Sequence, residues 1–539
     1  AFPLSLAAEQ PAGKGEESPA ELEDMVVTAA LEPLSVSDVA ASVTIITREE
    51  IEQRQAKYLA DLLRDVPGFH VSQSGGPGAQ TQVRVRGAEA NHMLVLVDGI
   101  RANDPASVDE YQFNYALAAN IERIEIVRGP QSAIWGSDAV AGVINIIRRR
   151  DTAASWVSGS AEGGSFGTIN AAVDGGMSRG SVRLQGGIAF FETDGINIAR
   201  EGKEKDGSDN LTANFSLDWR INDGWKVLAT GQRVSAETEF DDVDFFVTGL
   251  PVDTDRLTEA DRDYLGAELH YDPAAGRWSA SAALTYTESY NQNYYDGEWN
   301  SSTAAEVLDA RLRGSALFGG SNDDVQHRVT AGLDYIQTDF SQRGIETPWG
   351  DPNQDQDYGQ SSLAAEYVGQ LFGDFTWTAN ARYNDFSDFD NITTWQVAFG
   401  HQVNEIFRVR GSVGTGFKAP TFTERYGFYA DQFIGNPELK PETSQGWELG
   451  FDSRWVGGDV LVGMVYYHQA LEDEIDGFVF DPESFLFTAK NKEPDSDRKG
   501  VEVVFDWNVL NGLDLSANYT YTDATEEDSE GSDPGELRR

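Results

Sequence analysis

The sequence contains no cysteine and few basic residues for its length. Its 539 residues include 41 Lys and Arg against 89 Asp and Glu, which gives a formal net charge of −48. Without cysteine the chain has no disulfide, no thiolate metal site and no cysteine nucleophile. The negative charge argues against nucleic acid as a partner, because binding to phosphates needs many Lys and Arg side chains. It is compatible with divalent cations, with cationic ligands or with a solvated surface.

Long hydrophobic runs are also absent. The longest, residues 93–97 and 143–147, have the length of a strand, whereas a membrane helix needs about 18 consecutive apolar residues. This excludes a helical membrane protein. It does not exclude a β-barrel, whose strands of about ten alternating residues are hardly visible in hydropathy.

Signals for catalysis are missing as well. The six histidines form no H-x-H or i, i+4 pair, so no histidine metal site is visible. Residues 163–167 (GGSFG) fit the G-x-S-x-G pattern, but strand-like segments lie on both sides of them. This predicts a hairpin turn, because a nucleophile elbow lies between a strand and a helix. We therefore expect a protein that is not an enzyme.

Residues 1–22 are expected to be a leader. Residues 1–8 (AFPLSLAA) are apolar and small, as at the end of a secretory signal peptide. The Glu, Pro and Gly residues that follow predict flexibility. Residues 24–29 (DMVVTA) then form a short β-prone run. Such a run either adds as a strand to the sheet of a partner or is the first strand of the next domain.

Residues 31–150 have the pattern of a small α+β domain. Thr47 to Glu50 form a capping box that predicts the start of a helix, and Pro67-Gly68 ends the helical pattern. Strand-like runs separated by turns follow at residues 83–87, 93–97, 123–127 and 142–147.

From about residue 155 the pattern changes to an alternation of apolar and polar residues. Residues 375–383, for example, carry Phe, Trp, Ala, Ala and Tyr at every second position. About seventeen such segments are joined by alternately short and long connections. An apolar and a polar face on each strand, with this order of connections, predicts a membrane β-barrel. A soluble β-sandwich or β-solenoid is the alternative.

Four segments carry a resemblance to a known family. They are residues 24–29, residues 94–104 (LVLVDGIRAND), residues 121–147 (IERIEIVRGPQSAIWGSDAVAGVINII), and the motifs GTGFKAPTFTERYGFY and GNPELKPETSQGWELGF within residues 414–451. They resemble the TonB-dependent outer-membrane receptors, most closely the BtuB-like cobalamin transporters. The resemblance implies an α+β plug domain, residues 31–150, inside a 22-stranded transmembrane barrel, of which residues 151–539 supply about 17 strands. It also implies a monomer in the outer membrane of a Gram-negative bacterium, in contact with lipid and lipopolysaccharide.

The resemblance further assigns residues 23–30 as the TonB box, through which the periplasmic protein TonB drives transport. We expect this strand to be exposed and unpaired, so that TonB can pair with it. Its residues are Asp24, Met25, Val26, Val27, Thr28 and Ala29. Ion pairs between plug and barrel are implied for Arg86 and Arg128 with Glu448 and Glu502.

The substrate is expected to meet the outward loops of the plug, residues 73–82 and 100–109. The contact residues we expect are Gln73, Ser74, Asn103 and Asp104. Because these loops contain one cation, Arg101, they favour a neutral or zwitterionic ligand. Cobalamin or a related corrinoid is therefore the first expectation, and an iron siderophore or haem is the alternative. The competing classes are a passive porin or adhesin-like barrel and a secreted carbohydrate-binding β-protein.

Acidic residues are concentrated in residues 237–263, which hold ten acids against two arginines. Ca²⁺ takes about six to eight oxygen ligands and is the cofactor that such loops suit. By the resemblance, its ligands are expected to be Asp206, Asp209, Asp242 and Asp253, although a further aspartate of the family is replaced by Asn197 here. A solvated acidic loop, or lipopolysaccharide bridged by divalent cations, is the alternative. No covalent cofactor is expected.

The family's barrel closes on a C-terminal strand that usually ends in an aromatic residue. This sequence ends at Glu536-Leu537-Arg538-Arg539, in a loop-like stretch about five strands short of 22. We therefore expect a fragment that lacks the start of the signal peptide and the end of the barrel.

Overall fold

The computed structural model describes residues 25–26, 28–150, 153–244, 247–273, 276–319, 325–348, 350–430, 432–482, 484–493, 495–510, 512–526 and 535–536. The expected leader, residues 1–22, lies outside the described residues, as do Asp24 and Val27 of the expected TonB box. No helix in the described part of the chain is long and apolar enough to cross a membrane.

The N-terminal unit is a small α+β domain, the plug. Its strands are β1 (Met25–Val26), β2 (Leu34–Ser35), β3 (Ser42–Thr47), β4 (Phe69–Gln73), β5 (Thr81–Val85), β6 (Met93–Val97), β7 (Ile100–Arg101), β8 (Ile121–Arg128) and β9 (Gly142–Arg148). Its helices are α1 (Arg48–Arg54), α2 (Leu59–Leu63) and α3 (Ser132–Trp135), with 3₁₀ turns at Ala90–His92 and Phe113–Tyr115. A five-stranded sheet of order β3-β8-β9-β6-β7 forms its centre, and β6 and β9 run parallel.

The core of the plug lies between this sheet and the helices α1 and α2. The helix α1 begins where the sequence predicts it, because the Thr47 side chain accepts a hydrogen bond from the Glu50 backbone N–H. Leu59, Leu62 and Leu63 of α2 are fully buried in one apolar cluster with the sheet residues. Burial of these side chains gives the plug its own core.

The remaining strands are β10 (Ser155–Gly163), β11 (Ile169–Arg179), β12 (Val182–Ile196), β13 (Asp206–Arg220), β14 (Trp225–Val243), β15 (Pro251–Tyr271), β16 (Trp278–Tyr295), β17 (Glu298–Phe318), β18 (Val325–Gly344), β19 (Gln354–Leu371), β20 (Phe375–Phe386), β21 (Ile392–Gln402), β22 (Phe407–Lys418), β23 (Phe428–Tyr429), β24 (Phe433–Ile434), β25 (Glu442–Trp455), β26 (Val460–Glu472), β27 (Ile475–Asp481), β28 (Leu486–Asn491), β29 (Ser496–Leu510), β30 (Leu513–Glu526) and β31 (Gly535–Glu536). The helix α4 (Phe422–Tyr426) follows β22, and a 3₁₀ turn lies at Val456–Gly458.

Eighteen of these strands form one antiparallel sheet in sequence order, and β23, β24, β27 and β28 form a small sheet of their own. The large sheet consists of seventeen long strands and the two-residue β31, so the predicted number of about seventeen is confirmed. It surrounds the plug, which contacts strands from β10, through Lys57 and Glu162, to β30, through Gly68 and Thr520.

The two faces of the large sheet are inverted relative to those of a soluble protein. In β20 the side chains of Thr378, Asn380 and Arg382 are buried, and Arg382 donates to the Ile134 carbonyl of the plug, whereas Ala381 and Tyr383 on either side of Arg382 are exposed. A soluble sheet buries its apolar face instead. The alternative of a soluble sandwich or solenoid is therefore wrong, and the arrangement is that of a membrane barrel with a polar interior.

The connections at the two ends of this sheet differ in length. One end carries residues 197–205, 244–250, 345–353, 419–441 and 473–495, and we call it the long-loop rim. The other end carries turns such as residues 180–181, 221–224 and 403–406. The helix α4 and the small sheet β23-β24-β28-β27 belong to the long-loop rim.

Candidate functional site

Two plug arginines and two barrel glutamates form a buried cluster of charges. Arg86 donates to Glu502 Oε1 at 2.8 Å and to Glu448 Oε2 at 3.0 Å, and Arg128 Nη1 lies 3.5 Å from Glu502 Oε2. None of the four is more than 5 % exposed. The structure therefore brings together the residues that the resemblance assigns to the plug–barrel ion pairs.

Local backbone geometry positions this cluster. Arg86 follows β5 with φ of 52°, a left-handed conformation that places its guanidinium 4.2 Å from the centre of the Tyr467 ring. Gly68 faces Glu502, and a Cβ added there would overlap the carboxylate oxygen. Burial lowers the pKa of Arg86, but Glu502 and Glu448 outweigh it, and the net shift is upward. The arginine is thus held in its charged form by its partners.

The sequence did not reveal two further ionic contacts at the plug surface. Lys418, the last residue of β22, lies 2.6 Å from Asp109 and 3.0 Å from Asp138 of the plug. His92 Nε2 lies 2.6 Å from Glu442 Oε2 at the start of β25. Burial lowers the pKa of His92, but Glu442 and Glu89 together raise it by more, so that its pKa is above the ordinary value. Both contacts join the plug to strand ends at the long-loop rim.

Asn103 and Asp104 are structural residues of the plug, which corrects their prediction as substrate contacts. The Asn103 side chain accepts from the Val95 N–H at 2.7 Å and donates to the Met93 and Asp109 carbonyls. Asp104 pairs with Arg262 of β15 at 2.8 Å and is 2 % exposed. Both side chains are occupied by protein partners and have no group left for a ligand.

Gln73 and Ser74, the other two predicted substrate contacts, are exposed. Gln73 donates to the Gly76 carbonyl at 2.7 Å, within a loop that reaches the rim ends of β12 and β13. Gly78 in this loop has φ of 86°, and a Cβ there would overlap Ser208 Oγ. The loop is therefore fitted closely against the barrel wall, with Gln73 and Ser74 accessible.

The strands β1 (Met25–Val26) and β2 (Leu34–Ser35) form a hairpin docked on the plug, which corrects the expectation of an exposed strand. Met25 pairs with Ser35 and Val26 with Leu34. Val26 is fully buried, in an apolar cluster that also contains Ala30, Leu34, Val39 and Val368, with Ala29 packed at its edge. Burial of these apolar side chains stabilises the docked state. Pairing with another protein requires the hairpin to open.

Polar contacts hold the same segment from the other side. Thr28 is fully buried and its hydroxyl donates to Glu125 at 2.6 Å. The Trp135 indole N–H donates to the Thr28 carbonyl at 2.8 Å. Arg101 in turn donates to the Trp135 carbonyl, so one tryptophan links the hairpin to the base of the plug loop 100–109.

The predicted calcium ligands are only partly brought together. Glu204, Asp241 and Asp253 each offer a carboxylate oxygen within 4.8 Å of the others. Asp206 is close enough to add its own repulsion to that on Glu204. Partial burial, followed by Asp255 and Asp253, raises the pKa of Glu204. Glu204 and Asp241 were missed by the sequence analysis. Oxygen ligands converging from one loop and two strands suit a hard cation such as Ca²⁺.

Two of the predicted ligands face elsewhere, which corrects that prediction. Asp209 is exposed, whereas its neighbours Ser208 and Asn210 in β13 are buried, so it lies on the opposite face of the strand. The Asp242 carboxylate is paired with Arg256 at 2.6 Å and is already neutralised.

Comparison with protein families matches most of the chain. The family described as TonB dependent receptor-like, beta-barrel matches residues 155–537. The family described as TonB-dependent Receptor Plug Domain matches residues 35–143. The two matched ranges correspond to the large sheet and the plug.

Solved structures with the same fold include three siderophore receptors. The siderophore receptor PirA from Acinetobacter baumannii has a TM-score of 0.74 at 18% identity and covers 90% of this chain and 81% of its own. A mutant of the ferric enterobactin receptor PfeA from Pseudomonas aeruginosa, in complex with enterobactin, has a TM-score of 0.72 at 18% identity. The match covers 89% of this chain and 80% of that receptor. The ferripyoverdine receptor of the outer membrane of Pseudomonas aeruginosa, bound to ferripyoverdine, has a TM-score of 0.73 at 15% identity. The match covers 94% of this chain and 73% of that receptor.

Proposed function

The chain belongs to the TonB-dependent receptor family, and from this we propose that it takes up an iron–siderophore complex by a TonB-driven rearrangement of its plug. Its location is the outer membrane of a Gram-negative bacterium, so the long-loop rim faces the outside of the cell. The outer membrane has no supply of ATP. The energy for uptake is supplied mechanically, through residues 23–30.

The observation that carries the proposal is the way in which the plug is attached. It is held inside the sheet by buried ion pairs, among them Arg86 with Glu448 and Glu502 and Lys418 with Asp109. Buried ion pairs contribute little net stability but fix position. When the plug moves, water can solvate the separated charges. Separated apolar surfaces cannot be solvated at a similar cost. The attachment therefore suits a plug that is rigid at rest and movable under load.

The siderophore is chosen over the corrinoid that the sequence resemblance placed first. The preference for a neutral ligand rested on the scarcity of cations in the plug loops. In the structure Arg101 is turned to Asp138 and the Trp135 carbonyl, so the plug loops offer no free cation and do not by themselves decide the charge of the ligand. The charge that meets a ligand then comes from the barrel loops. The structural neighbours named above are a siderophore receptor, a ferric enterobactin receptor and a ferripyoverdine receptor, and this supports the same choice.

Equilibrium titration of the purified full chain tests the substrate. Ferric catecholate, hydroxamate and citrate complexes and cyanocobalamin are compared by quenching of the intrinsic fluorescence of the twelve tryptophans. We expect at least one ferric complex to bind with a Kd below about 1 μM, a free energy of about −8 kcal/mol, and more tightly than its iron-free form. Tighter binding of cyanocobalamin than of every ferric complex would restore the corrinoid.

Deletion of residues 23–30 tests the energised mechanism. The deletion variant is expected to bind the ferric complex like the full chain and to lose uptake of ⁵⁵Fe into cells. A deletion of equal length within the leader, residues 11–18, is the matched control and should leave uptake intact. Undiminished uptake after deletion of residues 23–30 would favour a passive porin or adhesin-like barrel.

We also propose that the rim carboxylates bind Ca²⁺. Glu204, Asp241 and Asp253 would hold the ion, with Asp206 beside them, and the ion would join the loop at residues 197–205 to β14 and β15. The convergence of three carboxylate oxygens within 4.8 Å supports this assignment. The ion would order the rim loops by offsetting the repulsion among these acids.

A further inference from the structure

Arg425 lies in α4, within the loop of the long-loop rim that follows β22. Its guanidinium carbon is 4.5 Å from the centre of the Phe389 ring and 4.7 Å from that of the Tyr426 ring. The residue is 7 % exposed. Two aromatic faces stabilise the cation and fix the plane of its donors.

No carboxylate meets this guanidinium among the residues that the structure describes. Its Nε is buried without an acceptor. The neighbouring Glu424 is turned away, because its carboxylate accepts the Thr421 N–H at 2.8 Å in the capping box of α4. The buried arginines Arg86 and Arg382, by contrast, each face a carboxylate.

The missing partner has a physical consequence. A buried charge without a counter-ion is costly, and an anion placed against it removes that cost. The chain carries 89 acidic residues, so a shortage of carboxylates does not explain why this guanidinium has none. Planar guanidinium groups bind carboxylate, catecholate and phosphate oxygens through two parallel hydrogen bonds. The arrangement therefore suits an anionic oxygen supplied by a ligand.

The surroundings of Arg425 connect this position to the plug. Phe422, on the same helix, stacks on Phe340 at 5.0 Å and packs in one apolar cluster with Ala106 of the plug loop 100–109. Tyr358 contacts both Phe422 and Phe389, at 5.2 and 5.6 Å between ring centres. An aromatic cluster of the rim therefore connects Arg425 to the plug loop 100–109.

We propose that Arg425 is an anion-binding position of the extracellular site and contacts a negatively charged oxygen of the transported ferric complex, a catecholate or a carboxylate. This assignment rests on the proposed function and adds to it the charge of the substrate. It also supplies the cation that the plug loops lack. Since the chain as a whole repels anions, one local cation is what such a ligand needs to approach the rim.

Titration of wild type and Arg425→Gln with an anionic ferric catecholate complex tests the assignment. The variant is expected to bind roughly 10- to 100-fold more weakly, the effect of losing a hydrogen bond to a charged group. Wild-type affinity should fall as NaCl is raised, and the affinity of the variant should fall less, because salt screens the lost attraction. Arg425→Lys, which keeps the charge but not the planar donors, should be intermediate.

Arg343→Gln is the matched control. Arg343 lies at the end of β18 on the same rim and pairs with Asp355 at 2.5 Å, so its replacement should leave binding unchanged. Thermal unfolding of each variant separates lost binding from lost folding. Equal affinity in wild type and Arg425→Gln, or a loss with unchanged salt dependence, would overturn the assignment.

Lipopolysaccharide phosphates offer the same oxyanion chemistry as the substrate. The titrations are therefore repeated with purified lipopolysaccharide as competitor. Competition that disappears in Arg425→Gln would assign Arg425 to lipid phosphate and overturn its assignment to the substrate. Failure of wild type to bind any ferric complex contradicts the proposed function itself, whereas binding retained by Arg425→Gln contradicts only the role of Arg425.

Discussion

Single charged side chains determine how the plug is seated. Glu502 is 2 % exposed and faces both Arg86 and Arg128, so each carboxylate oxygen has a cationic partner. Removing one member of such a cluster leaves the others buried and uncompensated, which costs more than the intact pair contributes.

Glu502→Gln is expected to destabilise the seated plug by about 3 kcal/mol, because it removes the carboxylate that pairs with Arg128. The chain has no cysteine, so a single cysteine introduced at the buried plug position Ala88 reports plug opening by its labelling during urea unfolding. Asp65→Asn, which removes the exposed partner of Arg54, is the control and should shift the midpoint by at most about 0.5 kcal/mol. Equal shifts in the two variants would contradict the prediction.

His92 should make the seating of the plug depend on pH. Its burial disfavours the charged imidazole, but Glu442 and Glu89 favour it more strongly than Arg498 opposes it, and its pKa is raised. The stabilisation is therefore complete below about pH 6.5, the ordinary pKa of histidine, and is lost as pH rises through the raised pKa. In the same labelling assay, the midpoint of plug opening should therefore lie at a lower urea concentration at higher pH.

His92→Gln removes the titrating group and should flatten this pH dependence, whereas the exposed His70→Gln should preserve it. A midpoint that rises with pH between about 6 and 9, or the same slope in His92→Gln and wild type, would contradict the assignment to His92. Both variants are measured with the cysteine at Ala88, so the readout is identical.

The hairpin of β1 and β2 and the short helix α3 couple the N-terminal segment to the rest of the plug. The hairpin of β1 and β2 buries Val26 and is held at Thr28 by the indole of Trp135. Since Arg101 binds the carbonyl of the same tryptophan, a movement of the loop 100–109 reaches the hairpin through one residue. The short helix α3 is thus the connection between the two.

Trp135→Phe should loosen the hairpin by removing one hydrogen bond, worth about 1 kcal/mol. A cysteine introduced at Val26 is then expected to label roughly fivefold faster than in the background with Trp135 intact. Trp156→Phe is the control, because its indole N–H has no hydrogen-bond partner in the described part of the chain. Unchanged labelling in Trp135→Phe would show that apolar packing alone holds the segment.

Two properties belong to the chain as a whole, namely the inverted faces of the large sheet and the excess of acidic residues. The sheet is apolar outside and polar inside, and the formal charge of −48 includes acids gathered at the rim. Such a rim gains from divalent cations, because a cation that binds only the folded state stabilises it by mass action.

Ca²⁺ should therefore raise the thermal unfolding temperature, and EDTA should reverse the effect. At a Ca²⁺ concentration about 100 times the Kd, the linkage amounts to about 2.7 kcal/mol. Asp241→Asn and Asp253→Asn should abolish the response, whereas Asp209→Asn and Asp242→Asn should retain it. An equal response to Mg²⁺, or loss of the response in Asp209→Asn, would contradict the site as built from the structure.

The architecture was predictable because its signals are local. Local patterns of neighbouring residues and the lengths of the connections predicted a small α+β domain, a barrel and about seventeen strands, and the resemblance identified the small domain as a plug. The resemblance supplied Arg86, Arg128, Glu448 and Glu502, which the structure brings together.

Other site residues depend on register and on distant partners, which the sequence does not reveal. The pairing of β14 with β15 shifts between Phe240 and Asp242, and a shift of one residue changes the face on which a side chain lies. Asp104 was misassigned because its partners Ser289 and Arg262 lie far away along the chain. Arg425 was overlooked because an arginine without a counter-ion is recognisable only in three dimensions.

The docked hairpin has a mechanical consequence. It is closed by the pairs Met25–Ser35 and Val26–Leu34, and the chain enters it from residue 24. A force applied at residue 24 and directed away from the plug loads these pairs one after the other. A strand of residues 24–29 paired with TonB would instead share the same force among all its hydrogen bonds at once. In the proposed mechanism the hairpin therefore opens at a lower force than that at which the strand pairing with TonB would break, so the N-terminal segment is released before the force reaches the plug.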